Sequence, residues 1–227
     1  MGKLIIFYLL YWLTGSPITA LLILLAVFVA VDRTYLGLLP DPLRAFETSS
    51  RIRELKKVVS INPYDGRSLK ELGIIMVERG DYQNAMKYLG MAETKMSEEP
   101  EFTYYYGISA ARTGNIDKGK DLFGKAMNAF PTLKYGEPYL AMAEVYIDNA
   151  DYRSALPLLE KFEKIHSSSS RGFYLTGLVK LKMGSKEEGI EYFKKSIEVF
   201  KRSPFFKRKT DRKWAWKARR LLIASRW

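Results

Sequence analysis

Cysteine is absent from the 227 residues, which excludes disulfides, thiolate metal sites and cysteine nucleophiles together and fits a reducing compartment. Histidine occurs once, as His166 ahead of Ser167-Ser168-Ser169-Ser170. A lone imidazole in a loop reads as solvated rather than as a catalytic base, and the serines have no base partner to activate them. Phosphate loops, dinucleotide fingerprints and metal-ligand spacings are missing as well. Glu98, Glu99 and Glu101 cluster around Pro100, where a turn between helices leaves carboxylates solvated. The expectation is therefore a non-enzymatic protein without cofactor or metal, one that offers surfaces rather than a reaction centre.

Charge is missing from one long stretch, and acid from another. Residues 4–31 are 28 consecutive positions without a charged side chain. Residues 201–227 hold 11 Lys and Arg against the single Asp211, leaving 26 basic and 24 acidic residues in the rest of the chain. The formal net charge of +12 thus belongs to a tail and not to a basic domain.

The charge-free stretch reads as a hydrophobic membrane anchor over residues 1–33. At about 1.5 Å per residue it would reach about 42 Å as one helix, more than the roughly 30 Å of a bilayer core. Gly15-Ser16-Pro17 interrupts it, because Pro17 lacks a helix-interior donor and Gly15 is conformationally loose. Two arrangements fit: a spanning helix over about residues 17–33 after a short interfacial segment, or one tilted, kinked helix. Phe7, Tyr8, Tyr11 and Trp12 favour the first, since Tyr and Trp prefer the headgroup level. A cleaved signal peptide also starts with a cation such as Lys3, but this apolar region is too long and 27–31 lacks a small-x-small cleavage site. Arg33, Arg44, Arg51, Arg53, Lys56 and Lys57 follow the run, and positive flanks stay inside. The expected placement is the inner (plasma) membrane, single-pass, with the C-terminal part cytoplasmic after a Pro-punctuated linker over residues 34–50.

Beyond the linker the chain is periodic. Gly73 and Gly107 are 34 residues apart, as are Gly80 and Gly114, Ala92 and Ala126, Ala143 and Gly177, and Ala150 and Gly184. From the second copy to the third the offset is 36, which two extra residues around 132–135 would explain. Small residues at one position let two helices approach, large apolar residues at helical spacing fill the remaining space, and the glycines at 80, 114 and 184 stand where a helix ends in a left-handed cap. One such hairpin cannot bury its own apolar face, so stacking is required.

On these residues the sequence resembles the tetratricopeptide repeat family. The first copy reads Leu69, Leu72, Gly73, Gly80-Asp81-Tyr82, Ala85, Leu89 and Ala92. The second has Tyr106, Gly107, Gly114-Asn115-Ile116, Phe123, Ala126 and Pro131; the third has Tyr139, Ala143, Tyr146, Asp151-Tyr152, Ala155 and Leu159. The fourth, with Phe173, Gly177, Gly184-Ser185-Lys186, Phe193 and Ser196, departs most through Lys180 and Gly189. The fold class expected is all-α: an N-terminal transmembrane helix, then an α-solenoid of about four helix hairpins with capping helices. Residues 51–203 form the array, comprising a leading half repeat at 51–63 and repeats at about 66–99, 100–133, 136–169 and 170–203. Residues 204–227 are a basic capping helix and tail.

The resemblance implies a concave surface formed by the first helix of each pair, holding an extended or helical segment of a protein or peptide partner. Placed on that pattern, Lys70, Ile74, Val77, Tyr104, Ile108, Ala111, Leu140, Glu144, Ile147, Tyr174, Leu178 and Leu181 line it, unless several are buried between repeats. The paired Lys and Asn with which some relatives clamp a terminal carboxylate are missing. The tail cations Lys207, Arg208, Lys209, Arg212, Lys213, Lys217, Arg219 and Arg220 are interleaved with tryptophans, and three readings stand. They contact anionic lipid, they grip RNA through phosphates and stacked bases, or they form the solvated face of a capping helix. The functional expectation is a membrane-tethered scaffold or adaptor at the cytoplasmic face. The alternative is a membrane-anchored RNA- or ribosome-contacting protein acting through the tail.

Overall fold

The computed structural model describes residues 2–31 and 42–224. Two helices open the chain, α1 (Gly2–Thr14) and α2 (Pro17–Val31), and α3 (Pro42–Ile61) follows. Four antiparallel pairs come next: α4 (Gly66–Glu78) with α5 (Tyr82–Met96), α6 (Pro100–Arg112) with α7 (Ile116–Ala129), α8 (Glu137–Asp148) with α9 (Tyr152–Ile165), and α10 (Ser170–Lys182) with α11 (Lys186–Arg202). A short 3-10 turn, Leu133–Gly136, precedes α8, and α12 (Phe205–Ala224) closes the stack.

The transmembrane anchor is not what the structure shows. The apolar stretch is two helices of 13 and 15 residues. At about 1.5 Å per residue these reach about 20 and 22 Å, short of the roughly 30 Å of a bilayer core. The break is at Gly15, whose φ of +67° turns the backbone out of the helix before Pro17 starts the next one. Thr14 accommodates the break by donating its hydroxyl back to the Leu10 carbonyl at 2.8 Å. Among the described residues no helix is long and apolar enough to cross a membrane. The single-pass placement and its cytoplasmic orientation lose their basis with the span. Of the linker, residues 34–41 lie outside the described residues, as does Arg33, while 42–50 form the first half of α3.

Each hairpin turns in the same way. The second residue after the first helix takes positive φ: Gly80 at +77°, Gly114 at +92°, Ala150 at +58° and Gly184 at +93°. The next amide then reaches back to satisfy a carbonyl of the last helical turn, Asp81 to Met76 and Asp151 to Tyr146 at 2.9 Å each. Asp81 and Asp151 go on to cap the second helix, their carboxylates accepting from the amides of Asn84 at 3.3 Å and Ser154 at 3.1 Å.

Inside the pairs, absent side chains set the spacing. A Cβ at Gly107 would lie 2.9 Å from the Phe123 ring, and one at Gly177 would lie 2.8 Å from the Phe193 ring. Where the first and third pairs carry Leu89 and Leu159 in place of those rings, the second helix has Ala85 and Ala155 in place of Gly119 and Gly189. Volume is thereby traded between neighbouring positions so that each pair fills its core.

Pairs stack so that each new first helix rests on both helices of the pair before it; α6 on α4 and α5, α10 on α8 and α9. The end helix α12 takes the same place on α10 and α11, burying Ala215 and Ala218 completely. At the other end α3 covers α4 with Ile52 and Leu55. The first helices therefore form one continuous wall of the solenoid, and the residues on it lie beside each other from pair to pair.

Candidate functional site

A recess on that wall lies between the second and third pairs and encloses about 270 Å³. Val77, Tyr104, Ile108, Ala111, Ile116, Ala141 and Val145 supply its apolar side, and Arg112, Glu144, Asp148, Asn149 and Arg171 its polar side. It exists because Ala111 and Ala141 are small where the helices α6 and α8 face each other, while Tyr104 and Phe123 hold the floor with ring centroids 6.3 Å apart.

The polar side is a chain of alternating charges on successive first helices. Arg171 donates from Nε and Nη2 to the two carboxylate oxygens of Glu144 at 3.0 and 2.7 Å, and from Nη1 to Glu137 at 2.9 Å. Arg112 approaches Glu144 at 3.8 Å and Asp148 at 3.6 Å. Burial works against the Arg171 guanidinium, but Glu144 and then Glu137 outweigh it and hold its pKa above the ordinary value. Burial, with Glu137 adding to it, pushes the Tyr104 phenol well above its usual range, so the hydroxyl is a neutral donor at any physiological pH. Chemically the recess can hold a bulky apolar side chain and offer directed polar contacts at its rim.

The structure places the twelve sequence-derived groove residues unevenly. Val77, Tyr104, Ile108, Ala111 and Glu144 meet around the recess. Lys70 stands on α4, paired with Glu99. Ile74 packs part-buried on the core, as do Ile147, Leu178 and Leu181 farther along. Leu140 is fully buried among Ala143, Ala155 and Leu159 and presents nothing to a partner. Tyr174 is buried under α12, its ring 5.5 Å from Trp214. Arg112 and Arg171 went unread in the sequence because their repeat positions carry either sign of charge, Glu78, Asp148 and Lys182 for the first and Arg67, Glu101 and Glu137 for the second; their approach to Glu144 depends on how consecutive pairs rotate.

The tail cations divide as well. Lys207 donates to the Ser168 carbonyl at 3.0 Å, and Arg208 donates to the Ser203 and Lys201 carbonyls at 2.9 and 3.2 Å, so both fasten α12 to the array. Arg219 is half-buried. Lys209 and Lys213 are exposed, Arg212 is half-buried, and Lys217 and Arg220 are exposed on the outer part of the helix. Lys213 and Lys217 lie over the Trp214 ring at 4.9 and 4.7 Å. Asp211, the one acidic residue of α12, is buried against Ser203 at 3.3 Å, and that burial raises its carboxyl above the usual range.

Residues 170–201, the pair α10 and α11, match the family model of the tetratricopeptide repeat. A TPR repeat-containing protein of Methanocaldococcus jannaschii is 26% identical over 157 residues, covering 62% of this chain. The pair α10 and α11 thus carries a tetratricopeptide repeat, and the array is similar to proteins built of such repeats. The chain spans 28% of the length of that curated relative. Among solved structures the array resembles a crystal structure of MamA, with a TM-score of 0.63 at 21% identity over 73% of this chain and 98% of that one. YrrB, described as having an unusual peptide-binding site, aligns with a TM-score of 0.53 at 16% identity over 75% of this chain and 91% of that one. At these identities the two structures speak for the fold alone.

Proposed function

We propose that this tetratricopeptide array is a non-enzymatic adaptor whose concave wall holds a segment of a partner polypeptide. The 270 Å³ recess between the second and third pairs carries the reading, because it joins an apolar floor to a few convergent polar groups. That combination suits one anchoring side chain of a partner, with the rim fixing direction. The peptide-binding site described for YrrB supports the reading by likeness of fold.

Selection of binders from a random peptide library, followed by affinity measurement against Ile108→Asp, tests it. A charge placed against the recess should abolish binding of the selected peptides while circular dichroism stays helical. Peptides that bind the variant as well as the parent would place the working surface elsewhere.

A further inference from the structure

The recess is not the end of the wall. Arg171, one of its sides, stands with its guanidinium 5.7 Å from the Trp214 ring, so the recess runs directly into the surface where α12 meets α10. There Tyr174 and Trp214 form an aromatic pair, and Lys217 lies over both rings, at 5.8 and 4.7 Å. Lys213 covers Trp214 from the other end of its turn at 4.9 Å, and Arg220 is one turn beyond.

Charge balance differs along this path. In the recess every cation has acids beside it: Arg171 has Glu144 and Glu137, and Arg112 has Glu144 and Asp148. Among the described residues no carboxylate lies within ion-pair distance of Lys213, Lys217 or Arg220, and Asp211 is turned inward to Ser203. A ring beneath an ammonium attracts it without neutralising it, so the lysine donors remain available to a ligand.

Resting on the adaptor reading, we infer that the polypeptide segment held by the groove is acidic where it passes α12. An apolar side chain fills the recess, and the neighbouring Asp or Glu residues lie over the Tyr174–Trp214 pair within reach of Lys213, Lys217 and Arg220. Charge complementarity sets the direction of the segment, since the acidic part would be repelled by Glu144 and Asp148 at the recess rim. The same asymmetry makes the encounter salt-sensitive, because the three cations are exposed.

The test uses the full chain and fluorescent peptides that carry one Phe or Leu and a run of glutamates at varied spacing, each with a glutamine counterpart. At low salt the best glutamate peptide should bind roughly tenfold tighter than its counterpart, the sum of three modest exposed pairs. Combined Lys213→Gln, Lys217→Gln and Arg220→Gln should remove that advantage and leave the glutamine peptides unaffected. Arg220→Gln alone, which leaves the cations at the rings in place, should remove part of it. Equal binding of both peptide series, still lost in Ile108→Asp, would overturn the inference and leave the adaptor reading standing. Absence of binding by either series would overturn both. Binding of anionic vesicles or of a short RNA that depends on the three cations, with glutamate peptides inert, would also overturn the inference.

Discussion

Arg171 on α10 holds Glu144 on α8 side-on, with two parallel hydrogen bonds of 3.0 and 2.7 Å between first helices of consecutive pairs. Both side chains are mostly shielded, at 26% and 16% exposure, so removing one leaves the other with a single remaining partner, Glu137 for Arg171 or the more distant Arg112 for Glu144. Glu144→Ala should destabilise the chain by about 1–3 kcal/mol in chemical denaturation. Replacing both, with Glu144→Leu and Arg171→Met, should recover part of that loss, because the apolar pair needs no compensation while the more exposed Glu137 and Arg112 each lose one partner. Additive losses in the double variant would show that the pair does not act as a unit.

Ala150 occupies the left-handed turn position that glycine fills in the other three pairs, at a φ of +58°. A side chain there costs about 1–2 kcal/mol in steric strain, partly offset by the lower unfolded-state entropy of alanine. Ala150→Gly should therefore stabilise the array by about 0.5–1 kcal/mol. Gly80→Ala, at a φ of +77° in open space, should destabilise it by a similar amount. A destabilised Ala150→Gly would contradict the account of this turn.

Gly107 and Phe123 form a matched pair whose counterparts in the third hairpin are Ala143 and Leu159. Gly107→Ala brings a methyl to within 2.9 Å of the Phe123 ring and 3.3 Å of the Gly119 carbonyl, and should cost about 1–3 kcal/mol. Adding Phe123→Leu should cost less than the two separate changes together, since the smaller side chain gives the new methyl room. Thermal melts of the two single variants and the double variant decide the point.

His166 is the chain's one histidine, so its titration can be read without interference from another imidazole. Burial, and then Lys207, whose ammonium is 3.5 Å from Nε2, hold its pKa below 6.5, with Asp211 opposing them. The folded state thus favours the neutral ring. Stability linked to this group is complete above pH 6.5 and is lost as pH falls from there through the lowered folded value. His166→Gln should flatten that part of the stability profile, whereas a slope unchanged by the substitution would assign it to carboxylates.

The helix hairpins were legible because their spacing depends on what is missing: small residues recur at 34, and glycine marks the turns. The N-terminal stretch misled for the opposite reason, since a run without charge measures apolarity and not helical continuity. Gly15 and Pro17 cut it into two helices, each too short to span. In the groove, residues such as Ile108 and Glu144 follow from position within a repeat, but Leu140 faces the core instead. The pairing of Arg171 with Glu144 spans 27 residues and answers to the rotation between hairpins, which no local pattern encodes. The tail read as one basic surface, yet Lys207 and Arg208 are spent on carbonyls that hold α12 in place.

The adaptor reading is tested most directly by methyl spectra of isoleucine-labelled protein titrated with a library-selected peptide. Ile108 and Ile116 line the recess, while Ile190 and Ile197 belong to α11 on the second-helix side of the last pair. Binding in the groove predicts large shifts at Ile108 and Ile116 at peptide concentrations that leave Ile190 and Ile197 unmoved. Shifts confined to Ile190 and Ile197, with the recess methyls silent at saturation, would contradict it.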